Sequence, residues 1–235
     1  MRLIDIGAAT GPGDDEPIAE VIEGLRGRFG FEHVAYAGVN PLAETIHGHV
    51  TYPPGWQAHY AERRLHLRDP ALLRVARSIA PVDWSRLAAD PAQAEIAREG
   101  RDFGIPERGL TLPVRGPLGD VGLLSVSSDV EPGEWARMSA SALPGLQSAA
   151  VAIHDRVMAL DETTRVLGAP SLSSRETEVM QWTAAGKSQA DVGDILSISV
   201  RTVEVHLASS RRKLAALTTP QAVGRAIAMG LIHPQ

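Results

Sequence analysis

Between residues 52 and 84, the chain gathers side chains that combine a large apolar surface with a hydrogen-bonding group. Aromatic residues make up only 4% of the sequence, so their concentration here is unusual. The group consists of Tyr52, Trp56, Tyr60, Asp69 and Trp84. Two interpretations are open at this point. The aromatics are ordinary core residues and Asp69 caps a helix before Pro70, or together they supply the donors and the acceptor of a buried binding site.

Histidines in the same region raise an enzyme hypothesis, a zinc hydrolase. His47 and His49 would share one face of a strand, and His59, His66 and Asp69 follow them in the sequence. However, the helical His-Glu-x-x-His pattern of zinc hydrolases is missing, and no other ligand spacing supports a metal. We therefore expect neither a metal site nor an enzyme.

The last 65 residues indicate DNA recognition. Capping signals predict four helices, and the tight turn at 197–198 between the second and third predicts a helix-turn-helix. The third helix is expected to pack inward through residues at helical spacing: Val203, Leu207, Ser210 and Leu214. Its outer face is expected to carry Arg201, Thr202, Val205, Ala208, Ser209 and Arg212. The arginines and hydroxyls can reach phosphates or base edges, and Val205 or Ala208 could contact a thymine methyl. The alternative is a four-helix appendage with a solvated, charged surface.

Charge separates the chain into two parts. The net charge is -5, but from Ser171 onward seven Lys and Arg stand against five Asp and Glu, which gives +2 there and -7 before it.

The absence of cysteine excludes disulfides and thiolate metal sites, and agrees with a reducing compartment. No apolar run approaches the roughly 18 residues of a membrane span, so we expect a cytoplasmic protein with no membrane partner.

The order of predicted elements defines the domains. We expect a flexible tail at 1–16, a ligand-binding domain at 17–162, a linker at 163–170 and the helical domain at 171–235. Helices are predicted near 18–30, 55–66, from 70, at 91–102 and at 132–160 with a kink at Pro144. Strands are predicted at 31–39, 109–114 and 120–127, the last two as a hairpin. The fold class is α+β: an α-β-α sandwich with a small antiparallel sheet, followed by an all-α four-helix domain.

The helical domain resembles the C-terminal DNA-binding domain of LuxR-type regulators. The similarity rests on the runs 172–188, 195–207 and 212–214. Residues at the positions that the family pattern expects are Glu176, Gly186, Thr202, Val203, His206, Lys213 and Leu214. The departures are Met180, Glu204 and Ala208, so the DNA preference of relatives does not transfer. The resemblance implies DNA contacts from Lys187, Ser199, Arg201, Thr202, Val205, His206, Ser209, Arg212 and Lys213.

The first domain resembles the autoinducer-binding domain of the quorum-sensing LuxR members. A phosphorylated receiver would need a late lysine, and none occurs before Lys187. The family pattern is Tyr-x3-Trp-x3-Tyr, Asp-Pro, Trp and Gly-x3-Pro, met here by Tyr52, Trp56, Tyr60, Asp69, Pro70, Trp84, Gly109 and Pro113. The resemblance implies an N-acyl-homoserine lactone as ligand and no cofactor.

The resemblance also implies a role for each polar residue, because every buried polar atom of the lactone needs a partner. Trp56 would donate to the lactone carbonyl, and Asp69 would accept from the amide N–H. Tyr52 and Ser125 would donate to the acyl carbonyl. Asp69 must find further donors, since Ala71 stands where some relatives have a threonine.

The remaining implied contacts surround the lactone ring and the acyl chain. Tyr60 and Trp84 would pack on them, and the walls would be Val34, Tyr36, Leu72, Ile105 and Leu123. Ile96 and Ala97 lie where relatives often have a bulky aromatic, which predicts room for a long or branched acyl group.

The expected partners follow from the same resemblance: promoter DNA with an inverted repeat, a second copy of the chain, and RNA polymerase. An apolar stripe on the long helix is either domain core or a dimer seam: Leu143, Leu146, Ala150, Ile153, Val157 and Leu160. We also expect ligand binding to support folding. The alternative function is a LuxR-type regulator that responds to a different small molecule.

Overall fold

The computed structural model describes residues 2–5, 17–40, 45–116, 119–160 and 170–233. The chain forms two compact units, with the main division between residues 161 and 162. The first unit is mixed α and β, and the second is helical. Most of the linker predicted at 163–170 lies outside the described residues.

A six-stranded sheet forms the centre of the first unit. Its strands are β1 (Arg2–Asp5), β2 (His33–Asn40), β3 (Thr45–Val50), β4 (Val82–Asp83), β5 (Gly109–Arg115) and β6 (Val121–Ser127). The spatial order is β1-β3-β2-β6-β5-β4, with β1 parallel to β3 and all other pairs antiparallel. The predicted hairpin is confirmed as β5 and β6. Arg2–Asp5 departs from the predicted tail, because this short segment pairs with the edge of β3; residues 6–16 lie outside the described part of the chain.

Helices cover both faces of this sheet. They are α1 (Ile18–Phe29), α2 (Pro54–Glu62), α3 (Pro70–Leu73), α4 (Pro91–Arg101) and α5 (Pro132–Leu160). Three 3-10 turns join them: Leu65–Leu67, Val75–Arg77 and Trp84–Leu87. α1 and α5 pack on one face of the sheet. The α+β fold class is therefore confirmed.

The apolar stripe of α5 belongs to the domain core. Side chains of β2 and β6 alternate between the two faces of the sheet, and Val34, Tyr36, Leu124 and Val126 join the helix-side cluster. The stripe residues Leu146, Ala150, Ile153 and Val157 are buried in the same cluster. Their burial within one chain decides between the two predicted roles, and they do not form a dimer seam.

The second unit contains the four predicted helices: α6 (Ser174–Ala184), α7 (Gln189–Leu196), α8 (Val200–Lys213) and α9 (Thr219–Ala228). Both predicted capping boxes are formed, by Ser173 with Glu176 and by Ser188 with Asp191. The chain turns at Ser197, whose φ of 54° ends α7. A Cβ at Gly193 would lie 2.9 Å from the carbonyl oxygen of Ile198, so glycine allows α7 to approach the turn closely.

Within the described residues, no helix is both long and apolar enough to cross a bilayer.

Candidate functional site

A cavity of about 530 Å³ lies between the sheet and the layer formed by α2, α3 and α4. This volume is typical of small-molecule sites. Small residues at the centre of the sheet, Ala35, Ala37 and Gly48, leave this space. The cavity is bordered by all but one of the predicted ligand residues: Tyr36, Tyr52, Trp56, Tyr60, Asp69, Leu72, Trp84, Ile105, Leu123 and Ser125.

Val34 is the exception, and Tyr36 borders the cavity although its side chain lies mainly on the other face of the sheet. Both point to the helix side of β2, because the alternation of the strand gives the cavity side to Ala35 and Ala37. The Tyr36 hydroxyl hydrogen-bonds Nδ1 of buried His154 at 2.7 Å. The prediction that Val34 forms a wall is therefore wrong, and Tyr36 borders the cavity without offering it a hydroxyl.

Asp69 is held at the cavity by donors from two elements. Its side chain is 8% exposed. Tyr60 donates to Oδ2 at 2.6 Å, and the backbone N–H of Ala71 donates to Oδ1 at 2.8 Å. Burial raises the pKa of Asp69 above its usual value, although these hydrogen bonds oppose the shift. The carboxylate thus has the additional donors that the sequence required, and one of them is the backbone N–H of Ala71.

Asp69 also caps α3, so the helix-cap interpretation of this residue is confirmed. Burial raises the pKa of the Tyr60 hydroxyl, and the charge of Asp69 raises it further. The same two causes raise the pKa of Tyr52. Both phenols therefore remain protonated donors across the physiological pH range.

Trp56 presents a free donor to the cavity. Its ring is 4% exposed and packs on Tyr60 and Phe103, with ring centroids 5.7 and 5.6 Å away. Across the described residues, its indole N–H makes no hydrogen bond, and Trp56 borders the cavity. A ligand carbonyl is the natural partner for such a donor.

Trp84 belongs to a hydrogen-bonded chain that the sequence did not reveal. Its Nε1 donates to Oγ1 of Thr111 at 2.9 Å, and Oγ1 of Thr111 lies 2.8 Å from Oγ of Ser125. Thr111 and Ser125 are cross-strand neighbours on β5 and β6. The hairpin register could have identified Thr111. A Cβ at Gly109 would lie 2.3 Å from the Trp84 ring, which explains the glycine of the family pattern.

The zinc-site hypothesis finds no support in this region. Across the described ranges, no three His, Asp or Glu side chains converge as metal ligands. His59 instead pairs with Glu99, with 2.6 Å between Nε2 and Oε2.

The outer face of α8 is the second candidate site. The four residues predicted to pack inward are buried, which confirms the orientation of the helix. Of the predicted DNA contacts on α8, Arg201, Val205 and Arg212 are exposed, while Thr202, His206 and Ser209 are half-buried. Ser199 caps the helix by accepting from the Thr202 N–H at 3.1 Å. Lys187 is exposed in the loop between α6 and α7.

Lys213, which the resemblance assigned to DNA, is paired with a buried carboxylate of the same domain. Its Nζ lies 2.7 Å from Oε2 of Glu176, a residue of α6 that is 4% exposed. Burial alone would raise the pKa of Glu176, but hydrogen bonds from Lys213, Ser173 and Ser209 outweigh it and lower the pKa to about 2. Lys213 and Ser209 therefore connect α8 to α6 through Glu176. Among the residues predicted to contact DNA, the cationic side chains left for that role are those of Arg201, Arg212 and Lys187.

A ligand cavity in one unit and a helix-turn-helix in the other define a ligand-responsive transcription regulator. Residues 14–157 match the family described as "Autoinducer binding domain", and residues 170–226 match "Bacterial regulatory proteins, luxR family". The chain belongs to the LuxR family and is a LuxR-type quorum-sensing regulator with an autoinducer-binding and a DNA-binding domain. It is not an enzyme, because the family and the curated relatives are transcriptional regulators.

Two relatives illustrate this similarity. The chain is 37% identical over 173 residues to the transcriptional activator protein RaiR of Rhizobium etli, covering 73% of this chain and 72% of RaiR. It is 32% identical to the quorum-sensing regulator RhlR of Pseudomonas aeruginosa, covering 93% and 91% of the two chains. The solved structure of SdiA in complex with octanoyl-rac-glycerol aligns with a TM-score of 0.66 at 23% identity, over 94% of this chain and 92% of SdiA, and shows the same fold.

Proposed function

We propose that the protein binds an N-acyl-homoserine lactone in its cavity and, as a homodimer, binds a two-fold-symmetric promoter site through α8. The observation that carries the proposal is the set of polar groups in one apolar cavity. The Trp56 N–H is a free donor, the Asp69 carboxylate is an acceptor, and the hydroxyl-bearing residues Tyr52 and Ser125 border the same space. An N-acyl-homoserine lactone has one carbonyl on the ring, one amide N–H and one acyl carbonyl. Each of these ligand groups therefore has a hydrogen-bonding counterpart among the cavity residues.

Asp69 keeps acceptor capacity for the ligand amide. A carboxylate offers about four lone-pair positions, and the contacts from Tyr60 and the backbone after Pro70 leave room for one more donor. An amide N–H in that place gains a charge-assisted hydrogen bond in a dry site.

Ser125 is oriented through its neighbours. The Trp84 indole is a donor only, so Thr111 accepts from it. Either hydroxyl of the Thr111–Ser125 pair can be the donor, and when Thr111 donates, the Ser125 hydroxyl is free to donate to the acyl carbonyl. Trp84 thereby acts through hydrogen bonding in addition to the packing that the resemblance implied.

The acyl chain occupies the apolar remainder of the cavity. Its walls include Leu72, Ile105, Leu123 and Ile96, and the small Ala97 extends the space. We expect a long or branched acyl group for this reason. A ligand panel in which short straight chains bind best would contradict that expectation.

Ligand binding stabilises the first unit by linkage. A ligand that binds only the folded state contributes about 2.7 kcal/mol at a hundredfold excess over its Kd. Signal concentration therefore controls how much folded regulator the cytoplasm contains.

The dimer positions two copies of α8 about one turn of DNA apart, and RNA polymerase is the further partner through which transcription changes.

A DNA-binding experiment tests both parts of this proposal, the lactone ligand and the homodimer. We expect the protein, with N-octanoyl-homoserine lactone added, to select two-fold-symmetric duplexes from a random library. Without the lactone, selection should fail. Selection of asymmetric sites would contradict the dimer, and selection that is independent of every lactone tested would favour the regulator of a different signal.

Replacing Arg201 by alanine should weaken binding to the selected duplex by about tenfold and make the salt dependence of binding shallower, by about one in the slope of log affinity against log salt concentration. Arg201 is exposed on the outer face of α8. Fluorescence anisotropy at several salt concentrations measures both effects. Arg175→Ala is the matched control, because Arg175 pairs with Glu178 on α6 and its removal should change affinity less than twofold. Equal losses from both variants would contradict the proposed interface.

A further inference from the structure

Gln93 is a buried amide on the apolar face of α4. It is 8% exposed and shares that buried face with Ile96 and Gly100. Gln93, Ile96 and Ala97 border the cavity together. Its Oε1 atom is fully buried and has no hydrogen-bond partner among the residues that the structure describes.

The helix terminus does not use this amide. Asp90 and Gln93 have the spacing of a capping box, in which Gln93 would accept from the Asp90 N–H. That N–H donates instead to the carbonyl of Leu87 at 2.8 Å, and the Asp90 side chain accepts from Ala92 at 2.9 Å. The Gln93 side chain is therefore free to turn into the cavity, unlike Glu176, which completes its capping box.

Several other polar groups of the cavity have partners, and those that remain free, such as the Trp56 N–H, are assigned to the lactone head. Tyr60 donates to Asp69, and Trp84, Thr111 and Ser125 form their own chain. A buried amide without a partner destabilises a protein, and leucine at this position would suit a purely apolar acyl chain better. The cavity thus carries an acceptor and a donor that an unsubstituted acyl group leaves unused.

We propose that the acyl group of the signal carries a hydroxyl that hydrogen-bonds to Gln93. The inference rests on the proposed lactone function and specifies its ligand class. A hydroxyl both donates and accepts, so it can satisfy either end of the amide, whereas a keto group offers nothing to Oε1. Gln93 is then a specificity-determining residue, separate from the groups that hold the lactone head.

The test compares three lactones of equal chain length on the full-length protein: N-octanoyl-, N-(3-hydroxyoctanoyl)- and N-(8-hydroxyoctanoyl)-homoserine lactone. Calorimetric titration should show that wild type binds one hydroxylated lactone about tenfold more tightly than the octanoyl lactone. Gln93→Leu should reduce this affinity ratio to about one, and the variant should still bind the octanoyl lactone. Gln93→Met makes the same test with an unbranched side chain if the leucine variant folds poorly.

Gln147→Leu is the matched control, because it makes the same chemical change at an exposed position on α5 and should preserve the ratio. The inference is overturned if neither hydroxylated lactone binds better than the octanoyl lactone, or if the Gln93 variants keep the wild-type ratio. Failure of all three lactones to bind wild type is a different result, and it would overturn the proposed function together with this inference.

Discussion

Asp69→Asn should weaken lactone binding by roughly 100-fold, equivalent to about 2–3 kcal/mol. Asparagine retains an oxygen that accepts from the Ala71 N–H, so the cap of α3 survives. Its amide NH₂ replaces the oxygen that faces Tyr60 and, in our proposal, the ligand amide. The new NH₂ group then faces the Tyr60 hydroxyl and the ligand N–H, so hydrogen-bond donors oppose each other in a buried site. Calorimetric titration of both proteins with one lactone measures the difference.

Asp90→Asn is a closely matched control for this experiment. Asp90 also begins an Asp-Pro-Ala sequence and caps its helix by accepting from Ala92 at 2.9 Å, but it does not border the cavity. Any effect of losing a capping charge appears in both variants, whereas the loss of binding should appear only in Asp69→Asn. Similar affinities for the two variants would mean that Asp69 is a helix cap alone.

Glu176→Gln should destabilise the helical unit by about 3 kcal/mol at neutral pH. Folding lowers the pKa of Glu176 from 4.5 to about 2, and each tenfold change in an acid dissociation constant corresponds to about 1.4 kcal/mol. The carboxylate is buried and binds Lys213 and the Ser173 N–H, both at 2.7 Å. Glutamine loses the ion pair that joins α6 to α8. Hydrogen exchange of peptides from these helices in the full chain measures the loss locally.

The pH dependence of the stability difference tests whether the charge of Glu176 causes it. Because folding lowers the pKa of Glu176, its stabilisation is complete above about pH 4.5 and disappears as the pH falls towards 2. Wild type and variant should therefore converge in stability over that window. Glu178→Gln is the control, since Glu178 forms an exposed pair with Arg175 and should change stability by less than about 0.5 kcal/mol. A constant difference down to pH 2 would contradict the role of the Glu176 charge.

The helical domain could be predicted almost completely from the sequence, because its signals are local. Capping boxes at Ser173 and Ser188 and the spacing of Val203 and Leu207 specify helix starts and the buried face without reference to the rest of the fold. What local signals missed there is the ion pair between Glu176 and Lys213, which are 37 residues apart.

The first domain was less predictable, because its sheet depends on pairing between distant segments. The strands β1 and β4 have four and two residues, too few to show a periodicity. In β2, an apolar run did not reveal which residues face the cavity, and the observed register places Val34 on the helix side of the sheet instead of in the cavity wall. The polar residues of the proposed lactone site were identified by motif spacing, whereas Gln93 was recognised only from its burial beside the cavity.

The most direct test of the account is to identify what the purified protein retains. The chain is expressed without additive, with a mixture of straight, branched and aryl acyl-homoserine lactones, and with the same lactones after ring opening. Mass spectrometry of the soluble protein should find one intact lactone at about one molecule per chain and no ring-opened acid. Soluble, folded protein that retains none of the lactones would contradict the proposed ligand, and would leave a LuxR-type regulator whose cavity binds a different signal.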